Sequence, residues 1–129
     1  MVLYSFTSMP TPLTAQELHN LAMNVVGKQL EEDGYEFLAV NSKLKKDPQF
    51  VALKGGKLHF VVVRAVSYPN DPRNYDPIEM EKMREHALAF PARTFYAGVG
   101  LANSNNPEVP IHYGEDYYLK YHGWQEITA

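Results

Sequence analysis

The segment Leu58-His-Phe-Val-Val-Val-Arg-Ala-Val66 constrains this chain more than any other. Its apolar residues fall on both parities, with Leu58, Phe60 and Val62 on one and Val61, Val63 and Ala65 on the other. Successive side chains of an extended chain point to opposite faces, so this run must be covered from both sides. That predicts a central strand, not an edge, in a sheet with layers on both faces. A shorter β-prone run, Phe50 to Leu53, precedes it across Lys54-Gly-Gly-Lys57, a strong hairpin signal.

Two helices are available as covering layers. Thr14-Ala-Gln-Glu17 reads as a capping box, and Leu18, Leu21, Ala22, Val25, Val26 and Leu30 follow at helical spacing until Gly34 ends the helix. Asp76-Pro-Ile-Glu79 reads as a second capping box, with proline at the first helical position. That helix should run from Pro77 to about Ala89, bury Ile78, Met83, Ala87 and Phe90, and stop before Pro91. Tyr35 to Val40 and Arg93 to Leu101 read as further strands, with a polar connection over Lys43 to Pro48 and turns over Tyr68 to Tyr75. Beyond the loop from Ala102 to Pro107, the stretches Val109 to Tyr113 and Tyr117 to Ile127 read as short edge elements, a helical turn near Asp116 being the alternative. Residues 1–13, with Pro10 and Pro12, read as a flexible arm, and 14–129 as a single domain. The expected class is α/β, a central mixed sheet with the core order helix-strand-strand-strand-helix-strand.

Composition removes several chemistries. The 129 residues include no cysteine, which excludes disulfides, a thiolate metal site, a thiol nucleophile and a cysteine-ligated iron–sulfur cluster. No apolar stretch approaches the ~20 residues of a membrane helix, and the start lacks the pattern of a secretory signal, so no membrane insertion and a cytoplasmic location are expected. The net charge of −3 conceals an asymmetry. Between Asn41 and Arg73, seven basic residues stand against Asp47 and Asp71, a local net of +5 that leaves −8 on the rest. Such a patch can attract phosphate, and the overall charge opposes a polyanion at long range.

Among individual side chains, Arg64 closes an otherwise apolar run and shares its face with Phe60 and Val62. It reads either as a strand-end residue pairing with an acid such as Glu36, or as an anion-binding group joined by Lys43, Lys45 or Lys46. The five histidines show no helical metal-site spacing, although His19 lies beside the first helix's apolar stripe. Gly98-Val-Gly100 lacks the third glycine and helix start of a dinucleotide loop and reads as a plain strand-end turn. Tyr113, Tyr117, Tyr118, Tyr121 and Trp124 form an aromatic tail that would either cover the domain's own sheet or anchor an interface.

The element order, with Gly34-Tyr35 closing the first helix, resembles the core of restriction-endonuclease-like, or PD-(D/E)xK, nucleases over Thr14 to about Val99. That resemblance implies two carboxylates holding magnesium and a lysine that orients water. The implied Asp position is Gln49, the Glu position Val62 and the Lys position Arg64, and the helix glutamate falls near Met23 and Asn24. Valine cannot ligate a metal, Gln49 brings no charge, and arginine clamps anions but accepts protons poorly. The implied site, Asn24, Gln49, Val62 and Arg64, is therefore vestigial, with Asp47 as a metal ligand only in an enzyme reading. The chain is also similar to short bacterial proteins that share Glu17 to Leu21, Phe37 to Ser42, Leu44 to Phe50 and Tyr96 to Leu101. These often carry the name of the flavin-bearing component of sodium-translocating NADH:quinone reductase, an activity that needs a membrane helix, four cysteines and a flavin domain.

The resulting expectation is a non-catalytic binding or structural protein without a cofactor, whose partner is an anionic ligand, a protein, a second copy of itself or, weakly, nucleic acid. The alternatives are a metal-dependent nuclease with a migrated site that draws on Asp47, Glu36 or Asp71, and an accessory factor of a redox complex.

Overall fold

The computed structural model describes residues 11–129. In chain order the elements are α1 (Ala15–Glu32), β1 (Glu36–Val40), β2 (Phe50–Lys54), β3 (Lys57–Ser67), α2 (Pro77–Leu88), β4 (Arg93–Asn103), β5 (Tyr117–Lys120) and β6 (Gln125–Ile127). The six strands form one sheet in the order β1-β2-β3-β4-β5, with β6 also paired to β4. β3 and β4 run parallel, connected through α2, and the other pairs are antiparallel. This is a mixed sheet with one helix on each face, and the two-sided apolar run lies at its centre as expected.

α1 forms because its first turn is capped. The Glu17 amide donates to the Thr14 hydroxyl at 3.1 Å and the Thr14 amide donates to Glu17 Oε1 at 2.9 Å. Its buried stripe, with Ala22, Met23, Val26 and Leu30, covers the face carrying Val61, Val63, Ala97 and Val99. α2 covers the opposite face: Met80 packs with Val62 and Tyr96, and Ala87 packs with Phe60 and Ala92. Each fully buried Val of β3 contributes about 1.5–3 kcal/mol relative to exposure.

α2 departs from its expected face. Ile78 is 71% exposed and Phe90 about half exposed, whereas Met80 is buried. The helix is mostly polar, so periodicity alone did not define one side, and packing against β3 selects Met80 and Ala87. The second capping box is also half made. Asp76 accepts from the Ile78 and Glu79 amides at 2.9 and 3.2 Å, but the Glu79 carboxylate is engaged by Arg64. β4 continues to Asn103, two residues past the expected end, so Gly98-Val-Gly100 is paired inside the strand and is not a strand-end turn.

Of the arm expected over 1–13, residues 1–10 lie outside the described residues. Pro12 bridges His112, the Leu13 amide donates to Ile111 at 2.8 Å, and the Tyr113 amide donates to Thr11 at 2.8 Å. The segment around 112 is thus an isolated bridge, and the tail forms two short strands with no helical turn at Asp116.

Candidate functional site

The loop between β1 and β2 carries the basic residues, and α1 fixes it. Gln16, one residue into the helix, donates through Nε2 to the Ser42 carbonyl at 2.8 Å and accepts from the Leu44 amide at 2.9 Å. Farther along, Pro48 has no amide to offer the ladder. Gln49 closes the gap: its backbone amide donates to Val61 at 2.9 Å, and its side-chain Oε1 accepts from the Val63 amide at 2.7 Å. Its Nε2 then donates to Asp47 Oδ1 at 2.8 Å, so this fully buried side chain joins strand to carboxylate.

Arg64 is the centre of the cluster. Nη1 donates to Asp47 Oδ1 at 2.8 Å and to the Val63 carbonyl at 3.0 Å. Nη2 donates to Asp47 Oδ2 at 2.7 Å and to Glu79 Oε1 at 2.5 Å. The Arg64 and Asp47 side chains retain only 13% and 18% of their exposure, while Glu79 retains 38%. The two-pronged geometry on Asp47 matches a planar guanidinium to a planar carboxylate. Burial by itself would raise the Asp47 carboxyl, but hydrogen bonds from Arg64 and Gln49 and the Arg64 charge hold it below its usual range. Burial would likewise lower Arg64, and its bonds to Asp47 and Glu79 outweigh that, keeping it charged.

The expected partner Glu36 is exposed at the start of β1, opposite Leu53, whereas Asp47 precedes the other end of β2. Val62 is buried against Met80 and Tyr96 and presents no polar atom to the cluster. Asn24 is exposed on α1, beside a shallow hollow with Gly27, Phe37 and Val40. The helix residue that does sense the cluster is His19, fully buried with neither ring nitrogen hydrogen-bonded among the described residues. Burial, followed by the Arg64 charge, pushes its pKa down, while Asp47 pulls weakly the other way.

Lys43, Lys45 and Lys46 are exposed on the loop that α1 holds. The +5 segment is not one patch. Lys54 and Lys57 flank the β2–β3 turn and the three loop lysines lie past the other end of β2, whose five residues alone span about 13 Å at ~3.3 Å per residue. Lys54 also donates to the Asp33 carbonyl at 2.5 Å, and Arg64 is neutralised, so the charges that converge in sequence disperse in space. The suggested ligands Asp47, Glu36 and Asp71 do not meet either. Among the described residues, no group of three His, Cys, Asp or Glu side chains is placed to hold a metal ion.

Sequence reasoning missed two features. Glu79 was absorbed into a capping box, although Asp76 alone satisfies both free amides and leaves Glu79 available. The second is a hollow of about 500 Å³ at the carboxyl ends of β3 and β4, lined by Tyr68, Asp71, Arg73, Tyr118 and Lys120 among others. Gly98 explains its shape: a Cβ there would lie 1.8 Å from the Pro72 carbonyl oxygen, so glycine lets the crossover segment rest directly on β4. The Tyr96 hydroxyl donates to the same carbonyl at 3.0 Å. The aromatic tail divides. Trp124 stacks on Phe95 at 4.1 Å and Tyr121 bonds Gln29, whereas Tyr113 and Tyr118 face solvent.

The fold and cluster together define a small α/β domain with a six-stranded mixed sheet, one helix per face, and a carboxylate pair closed by arginine. The model of a family described as a domain of unknown function (DUF8840) matches residues 16–127, and the chain belongs to that family. No curated protein and no solved structure matches it. Among the described residues, no helix is long and apolar enough to cross a membrane.

Proposed function

We propose that this chain is a non-catalytic binding or structural protein on a restriction-endonuclease-like core, with an anionic ligand or a protein as its partner. The core order of helix, three strands, helix and strand supports the nuclease-like part of the reading. The observation that carries the non-catalytic part is the engagement of both nearby carboxylates, Asp47 and Glu79, by Arg64. A guanidinium supplies the positive charge between them that a metal ion would otherwise supply. It offers neither an open coordination position nor a means of lowering the pKa of water. Gln49 is also spent, since both ends of its amide are hydrogen-bonded within the fold.

The test is incubation of the purified chain with plasmid DNA and single-stranded RNA in magnesium or manganese. No cleavage is expected. Metal-dependent cleavage that disappears in Asp47→Ala would overturn the reading in favour of a nuclease with a relocated site.

A further inference from the structure

The hollow at the carboxyl ends of β3 and β4 has the build of a ligand site, and its lining shares no residue with the Arg64 cluster, which sits one alternate position back on the same sheet face. Val66, Gly100, Ala102, Tyr118 and Lys120 share one face of the sheet, because Gly100 pairs with Lys120 and Ala102 with Tyr118. Farther along the same face, Val62 and Tyr96 are covered by α2. Past that cover, the small residues Gly100 and Ala102 leave a depression, walled on one side by the crossover segment and on the other by β5.

The walls are prearranged. The Tyr68 amide donates to the Leu101 carbonyl at 3.0 Å, which ties the crossover to the end of β4. The Pro72 carbonyl is held by Tyr96, and the Gln125 side chain donates to the Arg73 carbonyl at 2.9 Å. Prolines 69, 72 and 107 stiffen the rim. A site already formed loses little entropy on binding, and its volume lies within the range of small-molecule pockets.

Its chemistry is specific. Arg73 stands 3.7 Å from Asp71, and Lys120 lies close enough to act on the same carboxyl. Asp71 accepts the Arg73 backbone amide at 2.9 Å, a bond that favours its ionised form. Among the lining residues, two cations and one carboxylate leave a single unbalanced positive charge. Tyr68 and Tyr118, 48% and 66% exposed, flank the end of β4 and present uncovered ring surface. One spare positive charge in a hollow that also presents open aromatic rings suits an anion of single charge attached to a flat apolar group. A polyphosphate would exceed the available charge.

We propose that this hollow binds a small aromatic carboxylate. The proposal rests on the binding reading but not on the Arg64 cluster, so nucleic-acid cleavage tests the one and ligand titration the other. The experiment is an amide-resolved NMR titration of the full chain with benzoate and indole-3-carboxylate, compared with benzamide, acetate and adenosine monophosphate. At least one of the two carboxylates should shift the amides of 66–73, 100–102 and 118–120, with Kd below about 1 mM. Benzamide and acetate should bind at least about tenfold more weakly, since each lacks one of the two features recognised. Arg73→Gln, Lys120→Gln and Tyr118→Leu, all at the surface, should each weaken binding about fivefold or more, and Lys46→Gln should not. Equal binding of benzamide would remove the charge argument, and tighter binding of adenosine monophosphate would remove the single-charge argument. Shifts confined to other residues, or a Kd above about 1 mM for both carboxylates, would overturn the site itself.

Discussion

Replacing Arg64 with methionine removes a cation that is nearly enclosed and leaves Asp47 behind it. Three of its hydrogen bonds run to carboxylate oxygens at 2.5 to 2.8 Å. Removing one member of a buried pair costs about 3–5 kcal/mol, because the remaining charge stays desolvated. Asp47 retains 18% of its exposure and Gln49 still donates to it, which puts its share at the low end of that range. Glu79, at 38%, relaxes into solvent and adds at most about 1 kcal/mol. The expected loss for Arg64→Met is about 3 kcal/mol by urea denaturation at pH 7. The loss should also depend on pH. In the parent, the Asp47 pKa is depressed, so its stabilisation is full above the ordinary carboxylate value of 3.8 and fades as pH falls through the lowered value. In the variant, burial is opposed only by the Gln49 hydrogen bond and the weaker influence of His19, and Asp47 takes up a proton at higher pH. The gap between the two proteins should therefore narrow toward pH 4. Arg64→Met combined with Asp47→Leu should recover part of the loss, because the stranded charge is gone. A loss under about 1 kcal/mol, a gap indifferent to pH, or a double variant worse than the sum of the singles would refute this account.

His19 should make the protein sensitive to mild acid. Its folded pKa is lowered by burial, so as pH drops below about 6.5 the unfolded chain binds the proton first and stability declines until the lowered folded value is reached. His19→Leu should abolish that slope in chemical denaturation between pH 7 and 5; an unchanged slope would place the titration elsewhere. Gly98→Ala would drive a methyl into the Pro72 carbonyl and displace the crossover segment, costing about 2 kcal/mol or more. A variant with unchanged thermal stability and unshifted amides at 70–73 would contradict the close packing. Thr14→Ala removes a cap that accepts the Glu17 amide and should cost about 1 kcal/mol, read from the denaturation midpoint.

Short-range physics was legible in the residues themselves. The Thr14–Glu17 box, the Gly55-Gly56 turn and the two-sided run of β3 each depend on neighbours within a few positions, and all three appear as read. The mixed sheet between two helices followed from the need to cover β3 on both sides. What sequence could not rank was competition between a local partner and a distant one. Glu79 had a nearby amide as a capping target, but Asp76 already served the helix start, and folding brought an enclosed guanidinium 15 positions upstream within reach. Ile78 and Met80 are both apolar, and only the position of Val62 and Tyr96 beneath α2 decided which was buried. The basic segment is the clearest case. Counting along the chain gathered seven cations into one patch. A hairpin then sent Lys54 and Lys57 to one end of the sheet and left the loop lysines at the other, while Arg64 turned toward two acids. Sequence determined which elements form and that both faces of the sheet are covered, because propensity and periodicity are local. Tertiary structure alone decided which charges meet and where a hollow remains, because those depend on strand direction and on which backbones approach each other.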